Sequence, residues 1–134
     1  MKVLIVDDSK VVRERLVVML SELEEIEIIG QAEDAFSALD IIPILKPDVV
    51  ILDIHMPGSV TGIYVLERIR SQRNPPEIVM LTNYSSEQYR KRCLESGAAF
   101  FIDKSIEFES VPEVMMTLLS RITHASPLHL EDLE

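Results

Sequence analysis

The sequence carries a single cysteine, Cys93, and so has no internal disulfide to make. A thiol without a partner fits a reducing cytoplasm, and Cys93 reads as a small apolar helix residue. Long apolar runs are also missing: the longest are strand-length and Met1 leads directly into one of them, so neither a spanning helix nor a signal peptide is expected. Positive charge is in short supply, with 13 Lys and Arg against 23 Asp and Glu, a formal charge of -10. Phosphate backbones are bound by clustered Lys and Arg, which argues against nucleic acid as a direct partner. The excess of acid suits solubility and cation binding instead. The three histidines form no metal motif, and no repeat, low-complexity tract or internal linker interrupts the chain. What remains is an ordinary globular composition, 47% hydrophobic and 27% charged over 134 residues, enough for one domain with its own core.

The organising stretch is Pro47-Asp48-Val49-Val50-Ile51-Leu52-Asp53-Ile54-His55-Met56-Pro57-Gly58. Four apolar residues closed by an acid and then by Pro-Gly read as a short strand, buried on both faces, that runs into a loop. Asp53 stands at its exit. A second acidic exit, Asp7-Asp8, follows the apolar run of residues 2–6.

Between and beyond these, strand and helix alternate. From Ser9, the residues Val12, Leu16, Met19, Leu20 and Leu23 recur at helical spacing. Glu25 to Ile28 alternates as an edge strand would, with residues 30–33 leading out of it. Asp34 N-caps a second helix through Ala35, Ala38, Leu39 and Ile42, with a kink or early end expected at Pro43. Residues 62–70 make a third helix and Glu77 to Leu81 a fourth strand ending at Thr82. Ser85 to Gln88 has the spacing of a capping box for a polar fourth helix that Gly97 terminates. Residues 99–102 are the fifth strand, and Ser110 to Glu113 a second capping box ahead of a last helix through Val114, Met115, Leu118 and Ile122. Strict alternation with short, right-handed crossovers predicts an α/β fold: a five-stranded parallel sheet in flavodoxin-like order 2-1-3-4-5, with helices on both faces.

That topology would bring Asp7, Asp8 and Asp53 to one end of the sheet, with Thr82 and Lys104 arriving from the fourth and fifth strands. Three crowded carboxylates must share a proton, bind a cation or accept a basic partner. A hard divalent ion with oxygen ligands suits them, and Mg2+ suits a site with few carboxylates, retained waters and a phosphoryl oxygen. One carboxylate could then attack phosphorus while the metal, Lys104 and the Thr82 hydroxyl face the developing charge. Taken singly, each residue has a plainer reading, as a turn residue or a surface lysine.

With these positions in order, the sequence closely resembles the receiver domain of bacterial two-component response regulators, most of all receivers of the LuxR/NarL type. The resemblance covers residues 2 to about 123 and rests on Val6-Asp7-Asp8-Ser9, residues 53–58, Leu81-Thr82, Phe101 and Asp103-Lys104. It implies a phosphorylation-activated switch rather than an enzyme with a substrate of its own. Asp53 matches the acceptor of a phosphoryl group from a sensor histidine kinase, a histidine phosphotransfer domain or a small phosphodonor. Asp8 matches the direct Mg2+ ligand, Asp7 the acid that acts through water, and His55 the residue whose backbone carbonyl completes the protein ligands. Lys104 matches the lysine that pairs with phosphoryl oxygens, and Thr82 and Phe101 the switch pair of hydroxyl and swinging ring.

Three departures stand out. Asn83 replaces the family's usual small residue, Ser105 replaces a proline that commonly follows a cis peptide, and Gly62 lies one position later than usual after Asp53. The resemblance also marks His55 and Tyr84 as rate-tuning positions. The Tyr84 ring is expected to crowd the water that would hydrolyse an acyl phosphate; the competing reading lays Tyr84 flat over the fourth helix and points His55 to solvent. Val11 and Val18, on the outer side of the first helix beside Arg15, are candidate kinase-docking residues. The division expected is a receiver over residues 1–123 and a short tail over 124–134, either a natural single-domain regulator or a fragment of a longer DNA-binding one. The downstream protein partner is unnamed, with homodimer formation on phosphorylation as an option. A phosphatase of the haloacid dehalogenase type and a non-phosphorylated pseudo-receiver are the competing functions. The first lacks its Asp-x-Asp spacing here.

Overall fold

Residues Val49–Leu52 form β3, and each has a parallel neighbour on both sides, which is why all four had to be apolar. The structure is a computed structural model that describes the backbone of residues 1–132 and the side chains of residues 1–123. On one side of β3 lie β1 (Lys2–Val6) and then β2 (Glu27–Ala32) at the edge; on the other lie β4 (Glu77–Thr82) and β5 (Phe100–Asp103). The order is β2-β1-β3-β4-β5, parallel throughout, as the alternation predicts.

Side chains alternate across the sheet and build two cores. Val3, Ile5, Ile51 and Val79 face α1 (Lys10–Ser21) and α5 (Val111–Asp132), meeting Leu16, Leu20, Met115 and Leu118. Leu4, Val50, Leu52 and Met80 face α2 (Ala35–Leu45), α3 (Gly62–Arg70) and α4 (Glu87–Glu95), meeting Ala38, Ile42, Leu66 and Cys93. Burial pushes the Cys93 thiol up to about 11, so it is inert packing, as its place in the sequence suggests.

Several boundaries differ from the sequence reading. The second strand starts at Glu27 rather than Glu25 and runs through Gly30, because Ile29 is an extra residue opposite the Val3/Leu4 step of β1. Pro43 does not end α2, which reaches Leu45 before Lys46 caps it with φ 50°. In the last turn the ring removes one hydrogen bond to Leu39 and interrupts nothing beyond it. Neither capping box forms: the α4 N-cap is Ser86, whose hydroxyl accepts from Tyr89 N, while Ser110 Oγ donates to the Glu107 carbonyl at 2.6 Å within a 3-10 turn, Phe108–Ser110. Of the expected α1 core residues only Leu16 and Leu20 are fully buried, with Val12 and Met19 half-buried. The backbone of α5 continues to Asp132, past the expected boundary at 123, and the side chains of His124 and His129 lie outside the described residues. No helix among the described residues is long and apolar enough to cross a membrane.

Candidate functional site

β1 pairs with both β2 and β3, so the connections leaving β1 and β3 diverge to opposite faces and open a crevice at their carboxyl ends. Asp7, Asp8 and Asp53 meet there, each offering a carboxylate oxygen within 4.8 Å of the others. Asp7 and Asp53 are buried and Asp8 is exposed. Lys104, one residue past β5, places its ammonium between the two buried acids, 2.6 Å from Asp7 Oδ2 and 2.8 Å from Asp53 Oδ2. Crowded carboxylates accept the nearest basic partner, and here that partner is Lys104.

Burial raises the Asp7 carboxyl above the usual range, against hydrogen bonds from Lys104 and the Ser9 N–H that favour its charged form. Burial alone would lower the Lys104 ammonium, but its bonds to Asp53 and Asp7 outweigh that and raise it. Three carboxylates and one ammonium leave two negative charges to balance, all on hard oxygen donors. That set fits Mg2+, with exposed Asp8 as the acid best able to ligate directly.

Each acid is aimed by its backbone. Asp53 N donates to the Val6 carbonyl at 3.1 Å, and Asp53 Oδ1 accepts from Ile54 N at 2.7 Å. Asp7 Oδ1 accepts from Ser9 N at 2.8 Å, and Ser9 in turn N-caps α1. Arg13 was not anticipated: its Nη1 donates to the Asp7 carbonyl at 2.6 Å and its Nε to Gln31 at 3.1 Å, tying the acidic turn to β2. Its place one turn after Ser9, on the helix that leaves the acidic exit, is the signal that could have found it.

Thr82 is fully buried, its hydroxyl accepting from Tyr84 N at 3.1 Å. Met80 pairs with Phe101, so by the period of two Thr82 and Phe101 share a face. The Phe101 ring is buried, and Arg90 reaches both its face, 5.7 Å from the centroid, and its carbonyl, at 3.3 Å. The peptide after Lys104 is trans. The loop is closed by Asp103 Oδ1 accepting from Ser105 N at 2.8 Å and Ser105 Oγ at 2.6 Å. The Ser105 hydroxyl, then Ser85, holds the Asp103 carboxyl below the ordinary range.

A cleft of about 510 Å³ above Asp53 is lined by Asp8, Met56, Asn83, Lys104, His55 and Tyr84. The last two stack, ring centroids 3.6 Å apart and 26° between planes. The reading that lays Tyr84 flat over the fourth helix is not found, since its ring stacks on His55 and meets Tyr89 of α4 only edge-on, and the buried His55 Nδ1 has no hydrogen-bond partner among the described residues. On the outer side of α1, Val11 and Val18 are 66% and 67% exposed and, with Glu14, Arg15, Met19 and Glu109, line a groove of about 500 Å³. Arg15 is not free there: it lies 4.1 Å over the Phe108 ring and 3.5 Å from Glu109.

The family model described as "Response regulator receiver domain" matches residues 3–115. An uncharacterised response regulatory protein of Vibrio cholerae is 38% identical over 116 residues, which cover 87% of this chain and 47% of that one. The chain thus spans about half the length of the curated relatives it matches. Among solved structures, the signal receiver domain of NarL from Mycobacterium tuberculosis is 31% identical with a TM-score of 0.77, over 87% of this chain and 94% of that one. The CheX-CheY complex of Borrelia burgdorferi, with BeF3 and Mg2+, matches at 31% identity and a TM-score of 0.80, over 89% of each chain.

Proposed function

This chain belongs to the response regulator receiver domain family, and on that premise we propose that it is a phosphorylation-activated switch whose acceptor is Asp53. The observation that carries this reading is the Lys104 ammonium held 2.8 Å from Asp53 within the three-acid cluster. An in-line donor would meet a carboxylate already beside the cation that can follow charge onto the phosphoryl oxygens. The P–N bond of a phosphohistidine breaks, the Asp53 oxygen forms the new bond to phosphorus, and the imidazole departs. Bound Mg2+ would neutralise the transferring oxygens. Asp8, with Asp7 and the Asp53 carboxylate, would hold it, and the His55 carbonyl is carried over by resemblance. Thr82 would exchange its Tyr84 N–H for the phosphoryl group, freeing space toward which the Phe101 ring can move. The direct test is incorporation of label from acetyl phosphate with Mg2+, mapped to Asp53. A protein that never labels would be a partner-binding pseudo-receiver.

Substitution Asp8→Ala is expected to weaken Mg2+ at least about tenfold, read by calorimetric titration. It should also raise the metal-free melting temperature, because one of three like charges is gone. Unchanged affinity would remove Asp8 from the ligand set.

We place kinase docking on the α1 groove, where Val11 and Val18 offer apolar contact beside the Asp53 end of the sheet. Val11→Glu should slow transfer from the cognate histidine kinase or phosphotransfer domain by about five- to tenfold, leaving acetyl phosphate labelling as it was. Equal transfer rates would make the groove ordinary surface. The setting we infer is cytoplasmic, and the output is a protein partner or a further segment of a longer DNA-binding regulator, with dimerisation on phosphorylation as one route.

The acyl phosphate formed on Asp53 would be lost when water attacks in line, and Tyr84 stands at the mouth of that path. Tyr84→Ala should speed decay of the phosphorylated protein about three- to tenfold at saturating Mg2+. Slower or equal decay would show that the ring does not shield the bond.

A further inference from the structure

His55 arrives at the mouth from the connection after β3 and Tyr84 from the connection after β4. A stack of two loop residues has no rigid element beneath it, and Tyr84 is 48% exposed. The imidazole Nδ1 is buried without a hydrogen-bond partner among the described residues, so no bond at that nitrogen orients the ring. Something else must set the angle of the stack. The third ring present is Tyr89, in the first turn of α4, which meets His55 edge-on at 6.0 Å and 88° and Tyr84 edge-on at 6.3 Å and 80°. Tyr89 is anchored where the loops are not: its N–H donates to the Ser86 N-cap hydroxyl at 3.3 Å, and its ring packs against the core beneath α4. Edge-to-face contact has a preferred geometry, so one anchored ring touching both members fixes their mutual orientation.

We propose that Tyr89 is a positioning residue that locks the His55–Tyr84 stack into one roof over the Asp53 carboxylate, so that three rings rather than two set the lifetime of the acyl phosphate. The proposal rests on the reading of Asp53 as acceptor and of Tyr84 as its shield. Tyr89 does not reach the phosphoryl group; it acts through Tyr84. The same contact gives α4 a mechanical link to the site, because Tyr84 N is the donor that Thr82 Oγ1 would give up. Sequence spacing concealed Tyr89, which reads there as one residue on the first turn of a polar helix.

The test is a double-substitution cycle on decay of the phosphorylated full chain at saturating Mg2+. Tyr89→Ala should speed decay about threefold with Tyr84 present, and have no further effect in Tyr84→Ala. Tyr89→Phe, which keeps the ring, should decay as wild type. Tyr89→Leu repeats the Ala variant with the apolar packing retained. A readout free of phosphate is the His55 Cε1–H NMR signal, assigned by its loss in His55→Asn. Ring current from the stack should hold it upfield, and it should move downfield in Tyr84→Ala and Tyr89→Ala but not in Tyr89→Phe. An equal speed-up with and without Tyr84, or an unmoved His55 signal in Tyr89→Ala, would overturn the proposal. Should Tyr84→Ala itself leave decay unchanged, the shield reading fails and the lifetime part of the proposal with it. The His55 signal would then decide alone whether Tyr89 holds the roof.

Discussion

Asp53→Asn is expected to take up no label from acetyl phosphate, a loss of at least about 10⁴-fold, while folding as wild type. The amide is nearly isosteric with the carboxylate; with its oxygen accepting from Ile54 N, its NH2 takes the Oδ2 place 2.8 Å from Lys104 Nζ, a contact between donors that the lysine relieves by turning toward Asp7. Lys104 keeps its 2.6 Å partner in Asp7, so no buried charge is stranded. What disappears is the nucleophile: an amide oxygen does not displace a leaving group from phosphorus at neutral pH. One of three crowded negative charges also goes, so thermal unfolding in the absence of metal should occur at or above the wild-type temperature. Measuring both labelling and the melting curve separates chemistry from folding. Undiminished labelling in a folded variant would move the acceptor to Asp7 or Asp8 and undo the proposed function.

The second large effect concerns a residue with no side chain. Gly62→Ala should destabilise the protein by about 3 kcal/mol or more, a fall of roughly 10 °C in melting temperature for a domain of this size. A Cβ built there would lie 1.9 Å from the Asp53 carbonyl oxygen, 2.8 Å from its carbon and 3.0 Å from Ile54 Cα. All three are backbone atoms and cannot swing away. Gly62 N also donates to the Ile54 carbonyl at 2.7 Å, so the first turn of α3 rests directly on the chain that carries the acceptor. The methyl must push α3 off the sheet or displace Asp53 from Lys104, and labelling of the surviving folded fraction should fall as well. Gly58→Ala is the control. Its φ of 104° strains any side chain, but nothing lies within 4 Å, so a cost of about 1 kcal/mol is expected. Urea unfolding of the two variants checks this, and a Gly62→Ala protein as stable as wild type would show that the close approach relaxes freely.

The amino-acid sequence alone determined the layers of this molecule and the end at which its chemistry gathers. Runs such as Val49 to Leu52 can only be strands buried on both faces, and short alternation with helices leaves one parallel sheet, so Asp7, Asp8, Asp53, Thr82 and Lys104 had to converge. Local punctuation was legible where one residue acts on its own backbone, as Asp34 does at the start of α2 and Gly97, with φ 105°, beyond the end of α4. It failed where two residues had to agree. Ser85 has the capping-box spacing, yet Ser86 caps α4 while Ser85 lies beside Asp103 from another strand's exit. The tertiary structure decided the rest. Lys104 divides itself between Asp7 and Asp53, Arg13 reaches across to Gln31, and Tyr89 closes on a stack built from two other loops. Those contacts join residues 18 to 97 positions apart or hang on angles between rings. Periodicity reports which face a side chain takes, whereas its partner is chosen by the packing of whole elements.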